Sequence, residues 1–163
     1  MAFRFADRRP LPSGRMGLPR GYVVKRTQAV RVRKALEYVK KRLKLDLEFV
    51  VEPGEVHEQF GLLDIERSQR GTEDRKTWIV SFDPELVSQE SLSALRRHAF
   101  HEVLHALTWP LFDEAEAAIR RVPDSTLRKE LMDRTIDARE NIVYDLERKI
   151  GPLCFPSLPW VDP

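Results

Sequence analysis

Between Ala99 and Leu107 the chain carries His101-Glu102-Val103-Leu104-His105. In a helix, side chains four residues apart stand one turn apart on the same face. Both imidazoles then reach a single metal ion. Glu102, next to the first of them, lies beside the position left open on that ion, where it can take a proton from water. Few five-residue patterns specify ligands and base together. The chain has four histidines, His57, His98, His101 and His105, and three of them fall within eight residues. The plain alternative is a helix with two core-facing histidines and a surface glutamate.

Two histidines leave a catalytic zinc site one protein ligand short. A continuation of the motif through Gly and His would put them at positions 108 and 111, where Thr108 and Leu111 stand. The third ligand is therefore expected away from the motif, at Glu140. Ile136 precedes it by four residues and Val143 follows by three, so Glu140 shares an inward-facing row. A buried carboxylate needs a partner, and a cation is a suitable one. An ion pair with Arg97 or Arg139 is the competing account. Asp133, Asp137, Asn141 and Asp145 form a separate row that reads as the solvated face, with Asp137 next in order as ligand. Asp113, Glu114 and Glu116 also follow the motif closely, but they equally fit an ordinary acidic first turn. His57 lies far upstream in a loop. Tyr144, one turn after Glu140, and His98, one turn before His101, are candidate donors to a developing oxyanion or supports for the ligands. Each is equally readable as an ordinary helix residue.

The motif needs a helix, and the pattern from Ser91 onward provides one. Leu92, Leu95, Ala99, Val103 and Ala106 recur at spacings of three and four, with Ser91 or Ser93 to cap the start. Trp109-Pro110 is expected to end it, and a short helix is expected over Asp113–Arg121. Asp124 or Ser125 caps a long final helix with a buried stripe of Leu127, Leu131, Ala138, Ile142, Leu146 and Ile150, stopped by Gly151-Pro152. Upstream, residues 27–44 form a helix capped by Thr27, with Val32, Leu36, Val39 and Leu43 facing inward. Strands are expected over Leu45–Val51, Phe60–Glu66 and Thr77–Phe82, the last rich in β-branched and aromatic residues. Residues 69–75 read as a turn. Trp78–Phe82 is a candidate edge strand for an extended peptide, with an interior position as the alternative.

Length and composition bound the rest. At 163 residues, with 42% hydrophobic and 33% charged side chains, this is expected to be a single core-forming domain. No apolar run reaches the roughly eighteen residues of a membrane helix. The N-terminus has no apolar leader segment, so a cytoplasmic location is expected. A lone Cys154 excludes an internal disulfide framework and a cysteine-rich zinc ribbon. Charge is uneven: residues 1–45 hold 14 Lys and Arg against Asp7 and Glu37, whereas residues 46–163 hold 14 against 24 acids. The basic third invites nucleic acid or another acidic partner. Docking on the acidic remainder, or a plain solvated helix face, is the simpler account.

With the motif at His101, Glu102 and His105, and Glu140 inside Ala138-Arg-Glu-Asn-Ile-Val-Tyr-Asp-Leu-Glu, the chain resembles the zincin metallopeptidases, in their gluzincin-like branch. It is similar to small metallopeptidases of phages and prophages, over roughly residues 45–150. The resemblance implies a zincin-like α+β fold, one zinc ion on His101, His105 and Glu140, and peptide-bond hydrolysis with Glu102 as base. The expected organisation is a basic irregular arm at 1–20, one domain at 21–151 and a proline-rich tail at 152–163. The fold would be a small antiparallel or mixed sheet with an N-terminal helix, a motif helix and a long C-terminal helix. The alternative function is a non-catalytic zinc-stabilised domain that binds nucleic acid or an acidic partner through residues 1–45.

Overall fold

Apolar periodicity decides where each helix lies. A computed structural model describes residues 20–54, 63–67, 77–158 and 160. It is α+β, in the order α1 (Arg20–Leu43), β1 (Glu48–Pro53), β2 (Leu63–Arg67), β3 (Thr77–Phe82), α2 (Pro84–Gln89), α3 (Leu92–Ile119) and α4 (Ser125–Cys154). On α1, Val32, Leu36 and Val39 are fully buried and Leu43 packs against the core, as its spacing predicts. The helix begins at Arg20, ahead of the expected Thr27 cap. It closes at Lys44, a non-glycine residue with φ 55°, so that Leu45 N–H can donate to the Lys40 carbonyl at 3.0 Å. That left-handed residue costs roughly 1–2 kcal/mol. Leu45, packed against the core, is what it positions.

The sheet is mixed and has the order β1-β3-β2, with β1 parallel and β2 antiparallel to β3. This corrects one expectation: Trp78–Phe82 is the central strand, so neither of its edges is open to a peptide. The sequence could not distinguish this because a central strand and a half-buried edge strand share the same alternation. Trp78, Val80 and Phe82 point into the core, opposite Val51 of β1 and Leu63 and Ile65 of β2. The sheet packs on α1 and α3, and α4 packs on α3. The expected turn at 69–75, His57, most of the 1–20 arm and the start of the second strand lie outside the described residues.

The short helix α2 was not anticipated from Asp83-Pro84. Asp83 caps it, accepting from Glu85 and Leu86 N–H, and Pro84 occupies its first turn. Arg31 of α1 donates to the carbonyls of Val87 and Glu90 at its far end. Ser91 caps α3 and Asp124 caps α4, through side-chain bonds to Ala94 N–H and to Thr126 and Leu127 N–H.

Two helix stops expected from proline do not occur. α3 runs through Pro110 to Ile119, absorbing the separate short helix into one 28-residue element. An interior proline costs about 3 kcal/mol. Burial of Phe112 and the Trp109 Nε1–H bond to Asp113, at 2.8 Å, favour continuation. Likewise α4 passes Gly151-Pro152 and ends at Cys154. Two residues beyond it, Phe155 and Leu158, belong to the core. Phe155 and Leu158 are buried, and Phe155 stacks near Phe100 and Tyr38 at 5.0 and 5.8 Å between centroids. Arg42 donates to the Cys154 carbonyl at 2.9 Å.

Trp160 lies over Gly151 so closely that a Cβ there would meet its ring at 2.5 Å. Helix propensity alone makes Gly151→Ala stabilising by up to about 1 kcal/mol. Overpacking against the rigid indole costs about 1–3 kcal/mol. The expected outcome is a lower thermal midpoint for Gly151→Ala, with tryptophan emission shifted toward that of solvent-exposed indole. A raised midpoint would mean that Trp160 does not sit there.

Candidate metal centre

The facing sides of α3 and α4 bring the candidate residues together. His101, Glu102 and His105 lie in the half of α3 that packs on the sheet and on α4, and Glu102 and His105 are buried. On α4 the buried row is Val143, Glu147 and Gly151, with Glu140 half-buried on the same row. The expected stripe was rotated relative to this: Leu127 and Ile142 are exposed, and Leu146 and Ile150 are only partly covered. The acidic row Asp133, Asp137, Asn141 and Asp145 is solvated, as expected.

Three ligand atoms converge. His101 Nε2 is 3.1 Å from His105 Nε2, and Glu140 Oε2 is 3.8 and 3.4 Å from those two nitrogens. Zinc–ligand bonds of about 2.0–2.1 Å at tetrahedral angles put the ligand atoms about 3.3–3.4 Å apart. The observed triangle straddles that value, so shifts of a few tenths of an ångström would suffice to close it on one ion. Among the described residues it is the one group of at least three such side chains close enough to hold a metal. The alternatives fall away. Asp137 and Glu114 are exposed, Asp113 accepts from Trp109, and Glu116 pairs with Arg120 at 3.1 Å. Glu140 also makes no ion pair with Arg97 or Arg139, the competing account for a carboxylate on this row.

Arg97 instead pairs with a carboxylate that the sequence reading missed. Glu147 accepts from Arg97 Nε at 2.7 Å through one oxygen and from His101 Nδ1 at 3.0 Å through the other. It is two turns beyond Glu140, so a spacing of seven on the Glu140 row was the signal available. A carboxylate on Nδ1 holds that nitrogen as the donor, and leaves Nε2, the atom facing Glu140 and His105, free to act as a ligand. His105 has no equivalent support: its Nδ1 is buried without a partner among the described residues.

No family model, curated protein or solved structure matches this chain. What the site can do must follow from its own residues.

Burial alone would lower the His101 pKa, but Glu140, Glu147 and Glu102 raise it to about 9. Burial likewise would raise that of Glu140, yet the two imidazoles hold it far below the usual carboxylate range. His105 is lowered, first by burial, so its lone pair is available. His101 thus keeps a proton between two carboxylates, and a cation entering the triad would have to displace it. Glu102 is raised to about 8 by burial, opposed by His101 and reinforced by Asp64 and Glu140. A carboxylate tuned near neutrality suits proton transfer in either direction.

Tyr144 places its ring 4.8 Å from that of His101 and is half exposed. Burial, then Glu140 and Glu147, push its phenol upward, so it stays a donor. His98 is not drawn into the triad. Burial lowers its pKa against the opposing charge of Glu90.

Two outcomes follow. Glu147→Gln should weaken metal binding about 10–100-fold, the usual cost of losing such a support, as read by competition with a chelator. An unchanged affinity would remove Glu147 from the site. For chelator-treated protein, the His101 contribution to stability is complete below pH 6.5 and is lost as pH rises through about 9. Burial of Glu102 begins to cost above pH 4.5 and reaches its full cost above about 8. Both slopes have the same sign, so the thermal midpoint should fall between pH 6.5 and 9 and fall less with saturating zinc. A flat profile in the metal-free protein would contradict this.

Proposed function

We propose that this chain is a zinc-dependent peptide hydrolase of the zincin type. The observation that carries the reading is the convergence of His101 Nε2, His105 Nε2 and Glu140 Oε2 within 3.8 Å of one another, next to a buried glutamate. Two imidazoles and one carboxylate form a donor set suited to zinc, three protein ligands that leave a fourth position open. Bound there, zinc supplies Lewis acidity, lowering the pKa of water toward about 7 and polarising a carbonyl.

The remaining chemistry belongs to the protein. Glu102 accepts a proton from the attacking water and returns it to the leaving amine, a task that matches a pKa of about 8. Tyr144, beside His101 and protonated, offers its hydroxyl to the oxygen on which charge develops. Glu147 and Arg97 keep the His101 ring in its tautomer and orientation. β2, at one side of the described sheet and packed on α3, carries Asp64, whose charge reaches Glu102. An extended peptide laid along that edge would run beside the base.

A second reading draws on α1. Arg26, Arg33, Lys34 and Lys41 are exposed there, as is Lys44 just past its end, while Arg31 and Arg42 are engaged in capping carbonyls. A metal-stapled domain that binds nucleic acid through this basic segment would use that face. It would not require a buried, proton-accepting Glu102, which is why hydrolysis is preferred.

Glu102→Gln should retain one zinc per chain and lose hydrolysis of unstructured peptides by about 10²–10⁴-fold. His105→Ala should lose the zinc itself. Metal analysis with a peptide-cleavage assay separates the two, and wild-type turnover by Glu102→Gln would sink the proposal.

A further inference from the structure

Arg139 immediately precedes Glu140 on α4. Its guanidinium lies over Trp109, with Cζ 5.2 Å from the ring centroid. Trp109 stands one turn beyond His105 on α3, and it is fixed on two sides. Its Nε1–H donates to Asp113 at 2.8 Å, and its ring meets Trp78 edge-on at 5.3 Å. The arginine therefore rests on a rigid aromatic shelf at the His105 end of the triad. Its positive charge is felt at both Glu102 and His105.

Arg97, on the opposite side, is bound to Glu147. Among the described residues Arg139 makes no ion pair, and its Nε is buried without a hydrogen-bond partner. A guanidinium over an aromatic ring presents a planar fork of donors, and such a fork matches a carboxylate bidentately. A buried, unsatisfied donor is costly unless something completes it.

We propose that Arg139 is the anchor for a carboxylate of the substrate, so that the site takes peptides bearing an anionic group on the His105 side of the bond to be cut. Two sources share this chemistry: the C-terminal carboxylate of a short peptide and an Asp or Glu side chain. The first would make the protein a carboxypeptidase-like enzyme, the second an endopeptidase with acidic preference. The assignment of cleavage rests on the hydrolase reading above, but recognition itself does not.

The test uses the full chain carrying Glu102→Gln and loaded with zinc, so that binding is read without turnover. The probes are acetyl-tetraalanine as the free acid, the same peptide as the C-terminal amide, and the amide with glutamate as its last residue. Affinities come from titration calorimetry or amide chemical-shift changes. The expected result is that one or both carboxylate probes bind at least about tenfold tighter than the neutral amide. Arg139→Gln should abolish that preference, with the neutral amide unaffected, and Arg139→Lys should restore part of it. Which carboxylate probe gains identifies the source. Equal binding of all three probes, or equal losses for charged and neutral probes in Arg139→Gln, would overturn the assignment. The same probes offered to the wild-type chain test hydrolysis separately. Charge-selective binding without cleavage would refute the hydrolase reading and leave the anchor standing, whereas cleavage without charge selectivity would do the reverse.

Discussion

Glu140 and Glu147 of α4 are pressed against the imidazoles of α3, and the rest of the structure is arranged around neutralising them. A carboxylate removed from water loses several kcal/mol of hydration unless cations or donors replace it. Here the replacements are His101, His105 and Arg97, all on the facing helix, at 2.7–3.8 Å. The seam cannot be held by apolar packing alone, because Val143 is the only hydrophobic residue of α4 that is fully covered. A metal ion at the triad would turn a pairing that needs a proton on His101 into one that needs none.

The same seam separates the protonation behaviour of neighbouring groups. Glu140 is held ionised, whereas Glu102, one helical position from His101, is pushed toward the neutral form. The difference is environment rather than chemistry: one carboxyl faces two imidazoles, while the other lies in a buried position with Asp64 and Glu140 nearby. Arg139 and His101 limit the rise at Glu102 and keep it in the range where a base can both take and release a proton. The different roles proposed for the two carboxyls thus rest on the packing of two helices and a strand.

Much of the frame was legible locally. Spacing alone predicts Val32, Leu36 and Val39 inward, and cap chemistry narrows two helix starts to Ser91 or Ser93 and to Asp124 or Ser125, because helix periodicity and capping involve neighbours in sequence. The misreadings share a cause. Proline chemistry predicts stops at Pro110 and Pro152, yet tertiary contacts of Phe112, Trp109 and Phe155 outweigh the lost backbone bonds. The stripe on α4 was drawn through Leu127 and Ile142, since apolar residues usually face inward. Here the buried row includes Glu147, whose cost is met by partners that only α3 supplies.

By itself the sequence determined the helical placement of His101, Glu102 and His105. It also pointed to Glu140, because a carboxylate in phase with Ile136 and Val143 must face inward. These are consequences of a 3.6-residue repeat, which any helix obeys regardless of its surroundings. Tertiary structure alone decided that Glu140 rather than Asp137 or Asp113 meets the two imidazoles. It also put Glu147 and Arg97 behind His101, made β3 the central strand, and left Arg139 on Trp109 with no carboxylate partner among the described residues. Those outcomes depend on how α4 rotates against α3 and how strands separated in sequence pair. Such contacts are set by the burial of the whole molecule, and no local window of residues contains them.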